Sequence, residues 1–173
     1  MVSFLINDIK PCSINNGYYV GRKSLTKEAM RYRKRLLVTI NQNPQIKEQM
    51  KAFRSEFDPN KHAIRVEYYF LIPPKKMYLK GTGPISMLGG DVDNYMKLTT
   101  DFLFNDKYMN HAFPKSTYLA PIENLSVDDR FIVDVTAYKQ PNTEAYYSVG
   151  VKVTLIDKEC KELPPFEETE CYK

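Results

Sequence analysis

The stretch HAIRVEYYFLIPP, residues 62–74, decides the fold class. Its β-branched and aromatic content through Ile72 is that of a strand, and Pro73-Pro74 ends it. The segment before it is helical. Thr26 is a good N-cap, Leu25 is placed to staple onto Met30, and Glu28 sits where the helix dipole favours an acid. Ala29, Tyr32, Leu36 and Ile40 share one side of that helix. Lys27, Arg31 and Lys34 share the opposite side, with Arg35 at its edge. Asn43-Pro44 breaks the helix, which resumes through Met50 and Phe53. Further back, residues 11–24, PCSINNGYYVGRKS, read as a loop, and residues 2–9 as a first strand.

Beyond Pro74 comes a loop of lysines and glycines, then a helix over 92–104. Val92, Tyr95, Met96, Thr99, Phe102 and Leu103 form its apolar face. Residues 105–127 show no period. Residues 131–139 and 145–156 alternate like strands around Gln140-Pro141-Asn142-Thr143 and are expected to pair as a hairpin. Tyr147, Val149, Val151, Val153 and Leu155 make one apolar row there. The expectation is an α+β single domain, a mixed sheet with helices packed on one face, in the order β-α-β-α-β-β. It spans 1–156, with an acidic tail over 157–173.

The tail holds six acids and three bases, a net −3, so the whole-chain charge of +4 leaves +7 on the rest. A basic body with an acidic tail fits a domain that binds a polyanion. No apolar run approaches the roughly 20 residues of a membrane helix, so no membrane partner is expected. The start, MVSFLINDIKP, lacks the pattern of a signal peptide. Three cysteines at irregular spacing, Cys12, Cys160 and Cys171, point to free thiols in a reducing cytoplasm. Without a C-x-x-C pair, and with only His62 and His111 to help, they do not suit zinc. The two histidines have no motif context for Ser-His or Cys-His chemistry.

The chemically informative run is Gly89-Gly90-Asp91-Val92-Asp93-Asn94-Tyr95-Met96-Lys97. Two carboxylates two apart, where a glycine loop enters a helix, can converge on one cation. Lys97 follows Asp93 by one turn, and Asp101 follows Lys97 by another. This row also suits a solvated helix edge with i,i+4 ion pairs. Asp128-Asp129 stand just before a later strand, where one of them could complete a three-carboxylate site for Mg²⁺. An EF-hand is excluded, because Tyr95 and Met96 occupy its fifth and sixth loop positions.

The run Asp91-x-Asp93-Asn94-x-x-Lys97-x-x-x-Asp101, followed by Asp128-Asp129, resembles the RusA family of Holliday-junction resolvases. Pro11-x-Ser13-x-Asn15-Asn16-x-Tyr18 is similar to the motif after that family's first strand, and Thr26-x-Glu28 with Tyr32-Arg33 to the start of its first helix. The likeness covers about residues 1–156. It implies a RusA-like fold and a homodimeric endodeoxyribonuclease that resolves four-way junctions in DNA recombination and repair. It implies Mg²⁺, with Mn²⁺ as a substitute, held by Asp91, Asp93 and Asp129, and Lys97 as a catalytic group. Asp128 is the weaker member of its pair. Gly90 departs from the basic residue the family often has, and the segment before Asp128 is longer than the family's connection. Expected phosphate contacts are Arg22, Lys23, Lys27, Arg31, Lys34, Lys75, Lys76 and Lys80, which would hold the backbone without reading sequence. A bacterial, or phage-encoded, cytoplasmic protein is implied. The rivals are a nuclease for other branched DNA and a catalytically silent DNA-binding regulator on the same fold.

Overall fold

The computed structural model describes residues 1–19, 25–77, 91–104 and 124–158. In chain order these form β1 (Val2–Asn7), α1 (Ile14–Gly17), α2 (Lys27–Gln42), α3 (Pro44–Glu56), β2 (His62–Ile72), α4 (Pro74–Met77), α5 (Val92–Phe104), a 3-10 turn (Asp129–Phe131), β3 (Ile132–Pro141) and β4 (Ser148–Asp157). The architecture is α+β with one mixed four-stranded sheet in the order β1-β4-β2-β3. The observed order is longer than the expected one. A one-turn helix, α1, lies inside what reads as a loop, and α4 follows β2 directly.

Helix signals explain the first half. The Thr26 side chain accepts from Ala29 N at 3.2 Å, satisfying an amide that the helix leaves free. Asn43 closes α2 and opens α3, its side chain accepting from Gln45 N and Ile46 N. Pro44 then sits at the first helical position, where its missing N–H costs nothing. Ala29, Tyr32, Leu36 and Ile40 are buried as expected, and so are Arg33 and Leu37. Met30 is exposed, and Leu25 packs against the core.

The expected hairpin is overturned. β3 pairs in parallel with β2, Val66 opposite Val135, and β4 lies on the other side of β2, antiparallel to both β2 and β1. The connection between β3 and β4 therefore crosses the end of β2, where Asn142 N donates to Ile72 O at 2.7 Å. Burial explains the choice. Val149, Val151 and Val153 are almost fully buried and gain most from a central position. Val133 and Val135 remain exposed at the sheet edge.

One face of the sheet carries Val2, Phe4, Ile6, Ile64, Val66, Tyr68, Phe70, Ile72, Val149, Val151 and Val153. These form one core with apolar side chains of α2, α3 and α5. The opposite face carries the Arg65–Asp134 and Lys152–Glu67 ion pairs and the stacked rings of Tyr69 and Tyr138. Leu125 and Val127, in the stretch without a legible period, are buried as well. Among the described residues no helix is long and apolar enough to cross a membrane. The expected tail lies outside the described residues from 159 onward.

Candidate active site on helix α5

Two tyrosines fix the rotation of α5. Thr99 Oγ1 donates to Tyr95 O, so Tyr32 OH of α2 is left to donate to Thr99 Oγ1 at 2.8 Å. Likewise Thr100 Oγ1 donates to Met96 O, and Tyr68 OH of β2 donates to Thr100 Oγ1 at 2.7 Å. Both phenols are driven well above their ordinary pKa, chiefly by burial, so both remain donors. Leu98, Phe102 and Leu103 pack into the core on the same side. The Arg33 guanidinium carbon lies 5.9 Å from the centre of the Phe102 ring, an arrangement suited to a cation–π attraction.

This anchoring leaves Asp93 and Lys97 exposed. Asp91, also exposed, immediately precedes the helix; its carbonyl accepts from Tyr95 N and its carboxylate from Asn94 Nδ2, each at 3.4 Å. Among the described residues no ion pair shorter than 4.0 Å joins Lys97 to Asp93 or Asp101. The i,i+4 pairs that a solvated helix edge would display are not formed there.

The two acids before β3 have separate fates. Asp128 caps the 3-10 turn, accepting from Arg130 N at 3.0 Å, and its carboxylate pairs with Arg130 Nε at 3.2 Å. Asp129 is exposed and stands where this turn meets α5.

Asp101 completes the neighbourhood. Burial pushes its carboxyl above the usual range. The Tyr18 hydroxyl, donating to Oδ2 over a long 3.4 Å, pulls it back; Asp129 raises it further and Lys97 lowers it. Asp101 and Asp129 both also act on the Tyr68 phenol. The structure thus brings Lys97, Asp101 and Asp129 into one electrostatic group. Asp101 was legible as the last residue of the RusA-like run but without a role, because its half-burial depends on tertiary packing.

Among the described residues no three His, Cys, Asp or Glu side chains stand close enough to share a metal ion, so Asp91, Asp93 and Asp129 do not form a closed cage. Their donor chemistry fits Mg²⁺: carboxylate oxygens, all solvent-accessible. Of the expected phosphate contacts, Lys27, Arg31, Lys34, Lys75 and Lys76 are exposed. Arg22, Lys23 and Lys80 lie outside the described residues. The chain matches no protein-family model and no curated protein.

Proposed function

We propose that the chain is a magnesium-dependent, structure-specific endodeoxyribonuclease of the RusA type, acting on four-way DNA junctions. The observation that carries this reading is the pairing of acids along and beside one helix. Asp91 and Asp93 are exposed at the start of α5, Lys97 is exposed one turn on, and the 3-10 turn that carries the exposed Asp129 packs against the same helix. Asp91, Asp93 and Asp129 are the residues that would hold Mg²⁺. When bound, the ion would supply positive charge to the scissile phosphate and acidify a water.

The chain's own groups do the rest. Lys97 stabilises negative charge developing on the phosphate or the leaving oxygen. Exposed bases on α2 and α4 hold the DNA backbone without reading sequence. Cuts in two opposed strands need two active sites, which a two-fold homodimer supplies with matching symmetry. The deciding experiment incubates a labelled four-way junction with the full chain, with and without Mg²⁺. Paired, symmetric, Mg²⁺-dependent nicks are expected. Preference for flaps or mismatches would make it a nuclease for other branched DNA. Tight binding without cutting, in Mg²⁺ and in Mn²⁺, would leave a DNA-binding regulator.

A further inference from the structure

The segment PCSINNGY, residues 11–18, carries part of the RusA-like resemblance but no chemical role so far, and it is built against α5. Pro11 and Cys12 are buried. Ser13 opens α1, its side chain accepting from Asn15 N at 3.3 Å. The turn is latched to the start of α2, where Thr26 N donates to Gly17 O at 2.8 Å and Thr26 Oγ1 to Asn16 O at 2.6 Å. Gly17 then lies directly on α5. A Cβ there would stand 3.1 Å from Leu98 Cδ2, closer than side chains ordinarily pack, so the missing side chain permits the approach. That approach is what brings Tyr18 to Asp101, 83 residues away in the chain.

We propose that Tyr18 and Asp101 are a positioning pair for the α5 site, Tyr18 orienting the half-buried Asp101 carboxylate and the Asp101 charge biasing where Lys97, one turn back on the same helix, and Asp129, in the adjoining turn, stand. The proposal rests on the nuclease reading of that site. Lys97 and Asp101 are four residues apart on one helix and so share a face. The 3-10 turn that carries Asp129 packs against the same helix, so the charges of Lys97 and Asp129 both bear on the Asp101 carboxylate. An acid on a solvated edge would turn with its rotamers and set neither neighbour. Asp101 is half-buried, and its Oδ2 accepts from a tyrosine whose own segment is held at Gly17 and Thr26. Both residues act through Lys97 and Asp129 rather than on DNA.

The test uses the full chain with Asp101→Asn, Tyr18→Phe and the double substitution. Asn keeps the shape and an acceptor for Tyr18 and removes only the charge. Single-turnover cleavage of a four-way junction at saturating enzyme and Mg²⁺ should slow about 10- to 100-fold in Asp101→Asn, the usual cost of losing a supporting partner. Junction affinity should stay within about twofold, because a group that acts on the chemical step leaves binding alone. Tyr18→Phe should lose less, and the double variant no more than Asp101→Asn, since one pair is being broken. The carbon-13 signal of Lys97 Cε, assigned with Lys97→Arg, should move in Asp101→Asn. That readout needs no cleavage: if the unsubstituted chain cuts no branched DNA, the nuclease reading fails, and the Lys97 signal alone decides whether the pair sets the lysine. Cleavage by Asp101→Asn within twofold of the parent, or an unmoved Lys97 signal, overturns the proposal. If Asp101→Asn does not fold, the same two readouts on Tyr18→Phe decide, with an unchanged rate and an unmoved signal as the negative result.

Discussion

The first and third turns of α5 hold their acids in opposite ways. At the start, Asp91 and Asp93 are exposed, and Asp91's only side-chain hydrogen bond among the described residues is a long one to Asn94 two residues past Asp93's neighbour Val92. Two turns on, Asp101 accepts from Tyr18 over the same 3.4 Å, and it is half-burial that sets it apart. Carboxylates left to solvent are available to a cation; one held by the fold can orient its neighbours. The difference separates residues suited to touch metal and substrate from residues suited to support them.

The sharpest way to break that comparison is to neutralise the first turn and set its loss against that of Asp101→Asn. Asp91→Asn and Asp93→Asn should each reduce junction cleavage by on the order of 10³-fold, since a bound metal contributes several kcal/mol of charge stabilisation and each 1.36 kcal/mol is tenfold in rate. Junction binding should persist or tighten, because one less negative charge faces the phosphates. Gel-resolved cleavage beside fluorescence-anisotropy binding checks both. A smaller loss at Asp91 and Asp93 than at Asp101 would reverse the assignment of roles.

Lys97, between the two ends, comes next. Lys97→Met should slow single-turnover cleavage by about 10²-fold at saturating DNA, the scale of one lost charge-stabilising group. Raising Mg²⁺ should not restore the rate, because the lysine's charge acts on the phosphate and not on the acids. Full recovery at high Mg²⁺ would mean that Lys97 only balances the carboxylates around it.

Sequence and structure agree where local rules suffice. Thr26 is read as a cap because its hydroxyl serves an amide three residues on, and the Ala29-Tyr32-Leu36-Ile40 stripe because helical period puts it on one side. They part where distant segments decide. The β3–β4 hairpin was inferred from a short connector, yet strand order follows burial, and the partner of β3 is a strand some 70 residues earlier. Arg33 belongs by type on a surface, and lies instead among core residues beside Phe102. At the site, Asp91, Asp93 and Lys97 stood out by residue type and spacing, and the family resemblance pointed to Asp129. Asp101 closed the same run without a role, because its partner Tyr18 arrives through the fold. By residue type Asp128 and Asp129 look equivalent; the resemblance ranks Asp129 first, and the capping of the 3-10 turn by Asp128 gives the two separate surroundings.

The basic side of α2 offers a milder test of which groups face the substrate. Lys27, Arg31 and Lys34 are exposed opposite the buried stripe. Replacing all three with Gln should weaken junction binding and flatten the log–log salt dependence by about one unit per lost phosphate contact. Affinity measured from low to moderate salt checks it. An unchanged slope would place this side of α2 away from DNA and leave the α4 lysines as the exposed contacts to examine.

The smallest expected effect is on stability, and it tests the third turn without any substrate. Burial first, and Asp129 second, hold the Asp101 carboxyl above its ordinary range, against the opposing pull of Tyr18 and Lys97. A carboxyl whose pKa is higher folded than unfolded binds protons more readily in the folded state. Its contribution is therefore most favourable below the unfolded pKa and is lost as pH rises through the folded one. Asparagine has no such dependence, and its oxygen can still accept from Tyr18. The melting temperature of Asp101→Asn, compared with the parent, should thus be least favourable in acid. The difference should shift in favour of the variant as pH rises, then level off once Asp101 is ionised in both states. Calorimetry between about pH 4 and about pH 8 covers the range in which ordinary and raised carboxyls titrate. A difference that stays constant with pH would show that Asp101 is as solvated as Asp91 and Asp93. The contrast between the two ends of α5 would then reduce to distance from Tyr18 alone.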